Sequence, residues 1–251
     1  MKDKLLLWSL ACLLVACQHK PKEQLMVFCA AGLSNVMQEL ADSFEIHHPS
    51  TLVLNLASSG TLARQMAQGM LPDIYIAADQ QWADYVSDLG LVDRLNQQVV
   101  GTNGLVLICA VNDSLSEADV DSNLHLLPLL GDFRLAMGNP QHVPAGRYAY
   151  EALRSAGSYE ALADHLLLCK DVRSVLMCVE MQECPLGFVY TTDALLSSKV
   201  KILHTVAANT YPQINYVASL CTPEDAAAKA FYDYIASDEM APVWLKYGFV
   251  K

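Results

Sequence analysis

From residue 25 onward, strand-like and helix-like segments alternate along the chain, and four of the passages from strand to helix run through small or capping residues. That alternation restricts the chain to an α/β architecture more firmly than any single motif does. Segment 25–30 (LMVFCA) is a continuous apolar run, as in a strand buried on both faces. Leu33, Val36, Met37, Leu40 and Phe44 follow at helical spacing, which predicts a helix over 33–47. The same reading predicts strands at 51–56, 74–77, 105–111, 134–138, 186–190, 202–206 and 215–220. It predicts helices at 61–70, 82–89, 144–155, 172–182, 192–196, 224–236 and 239–247. Pro144 at the start of one helix and Gly157 beyond its end are the expected punctuation. Gly101-Thr102-Asn103-Gly104 reads as a hinge, or else as a plain surface loop.

The four junctions carry the chemistry. They are Ala30-Ala31-Gly32-Leu33-Ser34, Ala57-Ser58-Ser59-Gly60-Thr61, Val143-Pro144-Ala145-Gly146 and Lys170-Asp171-Val172. A helix start leaves backbone N–H groups without intrahelical acceptors and carries a partial positive charge. Small residues let a ligand approach that backbone. Several such ends converging would hold an anion without a cationic side chain. Taken singly, each junction is equally an ordinary cap, with Ser58, Ser59 or Asp171 in the capping role.

The formal net charge of −11 argues against nucleic acid as a partner, because no basic stripe is present to follow a phosphate backbone. At the N-terminus, Lys2 and Lys4 precede an apolar run over 5–16 that is short for a membrane span and suited to a signal peptide. Leu14-Val15-Ala16-Cys17 resembles a bacterial lipobox. The expectation is a lipoprotein signal peptide over 1–16, lipid attachment at Cys17, and a polar tether over 17–24. Six cysteines then remain in the body: Cys29, Cys109, Cys169, Cys178, Cys184 and Cys221. Export permits disulfides, but spacing does not fix any pairing, and no CxxC is present to suggest zinc.

The segments VFCAAGLSNVMQELA, ASSGTLARQ, PDIYIAADQQW, RLAMGNPQHVPAGRYAYEAL, KDVRSVL, PLGFVYTTDA, AFYDYIA and KYGF occur in one order over nearly the whole body. In them the chain resembles the periplasmic molybdate- and tungstate-binding proteins of ABC transporters. The resemblance implies a type II periplasmic-binding-protein fold, with two α/β lobes and a ligand cleft between them. Lobe 1 would comprise 25–103 and 212–251, and lobe 2 would comprise 104–211. Carried over position by position, the implied oxyanion-binding residues are Gly32, Ser59, Ala145, Val172 and Tyr190. Gly32 departs from the family pattern, which has serine there. Glycine keeps the N–H and loses a hydroxyl, which Ser34 or water could replace. Molybdenum or tungsten would enter only as the bound oxyanion, with no direct protein ligand and no cofactor. The implied partners are a membrane permease with its ATPase, and the membrane itself through the lipid anchor. A monomer on the outer face of a membrane, or in the periplasm, is expected.

An enzyme is disfavoured. None of the seven histidines forms HExxH, and there is no GxSxG nucleophile elbow. Arg64, Arg147 and Arg173 lie in the anion-site motifs and are expected to face outward or toward carboxylates. A receptor of the same fold for another oxyanion such as sulfate, or a ligand-sensing signalling module, is the alternative.

Overall fold

The computed structural model describes residues 23–251. Ten strands are β1 (Glu23–Ala30), β2 (Ser50–Ala57), β3 (Ile74–Ala77), β4 (Gln97–Asn103), β5 (Leu105–Ala110), β6 (Leu135–Gly138), β7 (Leu166–Cys169), β8 (Leu186–Tyr190), β9 (Val200–Thr205) and β10 (Ile214–Leu220). The α-helices are α1 (Ser34–His47), α2 (Ser59–Ala67), α3 (Gln80–Asp88), α4 (Leu127–Leu130), α5 (Pro144–Ser155), α6 (Tyr159–Leu162), α7 (Val172–Glu180), α8 (Thr191–Leu195), α9 (Ala226–Ala236) and α10 (Ala241–Lys246).

The strands form two five-stranded mixed sheets, in the orders β2-β1-β3-β10-β4 and β7-β6-β8-β5-β9. The sheets repeat one plan. Three strands run parallel, β1 with β2 and β3 in the first sheet and β6 with β7 and β8 in the second. A fourth, β10 or β5, enters antiparallel and carries the fifth on its far side, again antiparallel. The chain crosses between sheets twice, from β4 to β5 through Gly104 and from β9 to β10.

Alternation along β1 shows why the first sheet is covered on both faces. Val27 and Cys29 join one apolar cluster with Leu40 and Phe44 of α1 and Phe231 of α9. Phe28 joins a second cluster with Leu62 and Met66 of α2 and Val86 of α3. Successive side chains of a strand point to opposite faces, so a run apolar at every position is covered on both sides. Trp244 of α10 is fully buried, and its indole N–H donates to the Ile235 carbonyl at 2.9 Å.

Several sequence expectations shift. β1 starts at Glu23, so Glu23 and Gln24, expected to end the tether, belong to the sheet, where they pair with Ser50 and Thr51. The expected signal peptide and the lipid-attachment position Cys17 lie outside the described residues. The GTNG stretch is not a free loop: Gly101, Thr102 and Asn103 pair with β10, and Gly104 alone separates β4 from β5, at a crossing between the two sheets. The strands at 97–103 and 166–169 are absent from the sequence reading. β4 is mostly polar (QQVVGTN), and β7 pairs only with β6, at the edge of its sheet. Helix α2 begins at Ser59 rather than Thr61, because the Ser58 side chain accepts the N–H of Thr61 and caps it.

Candidate functional site

The four small-residue junctions meet. A cavity between the two sheets is lined by Ala31, Gly32, Ser58, Ser59, Val143 and Ala145, together with Ala78, Asp171, Val172 and Tyr190. All five positions implied by the resemblance, Gly32, Ser59, Ala145, Val172 and Tyr190, are on that wall. Gly32 and Ser59 follow strands of the first sheet, while Ala145, Val172 and Tyr190 belong to the second. The space is small and admits no extended solute. Ser34, expected as a substitute donor, is not on the wall, and its hydroxyl donates to Asn35 Oδ1 at 3.3 Å.

The wall is rich in hydrogen-bond donors. Gly32 lies in a 3-10 turn (Ala31–Leu33) that leads into α1, Ser59 opens α2, Ala145 is the second residue of α5 and Val172 opens α7. None of these four N–H groups donates to an acceptor among the described residues. They are the open ends that helix geometry leaves, and each helix dipole adds positive potential there.

Two hydroxyls complete the set. The Ala78 N–H donates to Ser59 Oγ at 2.9 Å, which occupies an acceptor position of the oxygen and leaves its proton free for another partner. Tyr75 holds the same residue from behind, donating to the Ser59 carbonyl at 2.9 Å. Tyr190 is buried, and its hydroxyl has no hydrogen-bond partner among the described residues. Burial, with Tyr216 and Tyr148 nearby, pushes the Tyr190 phenol well above its ordinary range. It therefore remains an O–H donor at physiological pH. An unpaired buried hydroxyl costs stability, so its retention facing a cavity calls for a ligand-side acceptor.

The charged groups are turned away or neutralised. The Asp171 carboxylate accepts the N–H and hydroxyl of Ser174, both at 2.8 Å, and so caps α7. Arg147 pairs with the fully buried Asp79 at 3.2 Å, and with Glu151 at 3.1 Å. Arg173 lies 3.0 Å from Asp193 Oδ1, in a Coulombic contact not aligned for a hydrogen bond. Burial pushes the Asp193 carboxyl up to about 6, with Arg173 opposing the rise. Arg64 donates to the Gln141 carbonyl at 3.1 Å. None of the three arginines lines the cavity.

These arginines do something the sequence did not disclose: they span the cleft. Arg173 of the second lobe donates to the Gly32 carbonyl at 3.2 Å and to Asn35 Oδ1 at 2.9 Å in the first. Arg147 of the second lobe reaches Asp79 of the first, and Arg64 of the first reaches Gln141 of the second. His142 adds two more links, accepting the Gly60 N–H on its carbonyl at 3.0 Å and placing Nδ1 3.2 Å from Ser58 Oγ. The lobes are closed over the cavity. Ala78 and Asp79 lie in the segment PDIYIAADQQW and Asp193 in PLGFVYTTDA, but neither segment pointed to these roles, which depend on partners far away in the chain.

A small cavity between two α/β lobes, lined by the open N–H groups of helix starts and by two hydroxyls, defines a bilobal solute-binding protein of the type II periplasmic-binding class. The chain belongs to the bacterial extracellular solute-binding protein family, whose pattern it matches over residues 25–250. It is 39% identical over 227 residues to the molybdate-binding protein ModA of Escherichia coli, covering 90% of this chain and 88% of that one. It is 35% identical over 225 residues to ModA of Haemophilus influenzae, covering 89% of this chain and 88% of the relative. In fold, it superposes on the periplasmic molybdate-binding protein of Azotobacter vinelandii with a TM-score of 0.78 at 20% identity, covering 90% of this chain and 99% of that one.

Proposed function

We propose that this chain captures molybdate outside the cytoplasm, holds it in the interlobe cavity by neutral hydrogen-bond donors, and delivers it to the permease and ATPase of an ABC transporter. The observation that carries this reading is the donor wall. Four backbone N–H groups, the Ser59 hydroxyl and the Tyr190 hydroxyl, all without an acceptor among the described residues, converge from both lobes. Donors fixed at a set spacing fit a tetrahedral dianion of one size. A smaller anion such as sulfate leaves donors out of reach in a dry cleft, where an unmade bond is costly. Protonated oxyanions are disfavoured because the four open N–H groups offer their hydroxyl no acceptor. Tungstate, similar in size and charge to molybdate, binds comparably on this reading.

The two ModA relatives support molybdate as the ligand. On the same reading, closure brings together lobe 1 (25–103 and 212–251) and lobe 2 (104–211). Cys17 carries the lipid anchor, and the protein acts as a monomer without cofactor or catalysis. Calorimetric titration of the chain from Gln18 with molybdate, tungstate, sulfate and phosphate tests the ligand. The first two should bind with micromolar affinity or better, and the last two far more weakly. Sulfate binding as tightly as molybdate would overturn the assignment. Incorporation of labelled palmitate, lost on Cys17→Ser, tests the anchor.

A further inference from the structure

We propose that Cys169, Cys178 and Cys184 form a three-thiol site that acquires one disulfide after export, always through Cys178. Cys169 ends β7, Cys178 lies in α7, and Cys184 stands two residues before β8. All three are buried in one apolar cluster and all are free thiols in this structure. The N–H of Cys184 donates to the carbonyl of Cys178 at 3.2 Å. A backbone hydrogen bond of that length keeps the two Cα atoms within about 7 Å, the span a disulfide can bridge. Strand β7 packs on α7, and Cys169 and Cys178 join the same buried cluster; burial, and then Cys178, pushes the Cys169 thiol up to about 12. The Cys184 thiol is held up to about 11 by burial and again by Cys178. Cys178 is thus the neighbour shared by the other two.

A surface hollow borders the site. Cys184 lines a surface hollow of about 400 Å3, together with Asn112, Asp113, Phe133, Gln182 and Pro185. Cys184 is itself only 2% exposed, so an external disulfide, carried by a thiol oxidase or by oxidised glutathione, meets this thiol from the hollow on local opening of its wall. The Cys184 thiolate attacks one sulfur of that disulfide, a mixed disulfide forms, and the other sulfur leaves as thiolate. The Cys178 thiolate then attacks the Cys184 sulfur. The internal bond forms, and the second external sulfur leaves. Two protein thiols are oxidised, one external disulfide is reduced to two thiols, and the two protons pass to the departing thiolates. Attack by Cys169 on the Cys178 sulfur moves the bond to the 169–178 pair and frees Cys184. Extracellular proteins work where such bonds persist. The Cys178–Cys184 bond ties the end of α7 to the start of β8, the two elements that present Val172 and Tyr190 to the cavity.

The test is thiol mapping of the full exported chain, recovered from the cell envelope and incubated with oxidised glutathione. It is denatured and alkylated without reductant, then analysed by peptide mass spectrometry. The expected result is one internal disulfide that contains Cys178, joined to Cys184 or Cys169, with the third thiol alkylated. Cys178→Ser should abolish every internal disulfide among the three positions. Complete alkylation of Cys169, Cys178 and Cys184 in the wild-type chain overturns the proposal. So does a Cys169–Cys184 bond, or a bond from any of the three to a cysteine elsewhere.

Discussion

The N–H of Ala78, just beyond β3, donates to the hydroxyl oxygen of Ser59 at the first position of α2, over 2.9 Å. That contact turns an ordinary helix-start serine into a directed donor, since its oxygen is already engaged and its proton faces the cavity. Ser59→Ala removes the donor and also strands the buried Ala78 N–H. Affinity for molybdate should fall about tenfold to a hundredfold, the effect of one charge-assisted bond. Thermal stability of the ligand-free chain should fall as well. Calorimetry and a melting curve on one preparation check both, and a loss of affinity without a loss of stability would contradict the bond.

Tyr190→Phe should separate the same two readouts. The Tyr190 hydroxyl has no partner among the described residues, so its removal leaves none of them unpaired in the ligand-free protein. The unliganded melting temperature should hold or rise, while molybdate affinity falls by about tenfold or more. A variant that loses stability but keeps its affinity would place the hydroxyl outside the anion site.

Gly32→Ser should tighten binding. A Cβ built at Gly32 lies 3.4 Å from Val172 Cγ1 and 3.5 Å from Tyr190 Cδ2, so the side chain enters without displacing a neighbour. The added hydroxyl supplies one more donor at the cavity wall, with an expected gain of about threefold to tenfold in affinity. Unchanged or weaker binding in calorimetry would remove Gly32 from the anion-binding set.

Arg173→Gln should weaken ligand capture without touching the ligand. It removes the guanidinium that links Asp193 in one lobe to Gly32 and Asn35 in the other. Apparent affinity scales with the population of the closed form, so binding should weaken on the order of tenfold. Small-angle scattering should show less compaction on adding molybdate. The variant also leaves the buried Asp193 carboxyl without its cation, so Arg173→Gln combined with Asp193→Asn should regain stability but not closure.

Binding should weaken as the pH falls through the titration of His142. Burial lowers its pKa from 6.5, with Arg64 adding to the effect. The closed protein therefore favours neutral imidazole at the Ser58 contact. Its contribution is full above the ordinary histidine value and is lost as pH falls from there through the lowered one. Molybdate titrations between about pH 7.5 and about pH 5.5 should show this loss, and His142→Asn should flatten it. Equal slopes for the two proteins would exclude His142 as the titrating group.

Much of this molecule was readable before folding. The apolar run of β1, the helical spacing through Phe44 and the Pro144 helix start are local properties, set by side-chain periodicity and backbone stereochemistry. Each open N–H at Gly32, Ser59, Ala145 and Val172 is likewise local, because any helix start leaves such groups. What the sequence could not supply is convergence. Ser59 and Val172 are far apart in the chain, and only the pairing of strands into two sheets sets their helix starts around one cavity. The polar strand β4 and the edge strand β7 escaped the sequence reading because hydrogen-bonded neighbours, rather than their own patterns, make them strands. The same holds for the arginines: charge suggested that they face outward or toward carboxylates, and Arg147 and Arg173 meet carboxylates, but the reach of all three across the cleft was not legible. Periodicity is written residue by residue, whereas a cavity and the contacts that close it are relations between surfaces, which exist only once both lobes are folded.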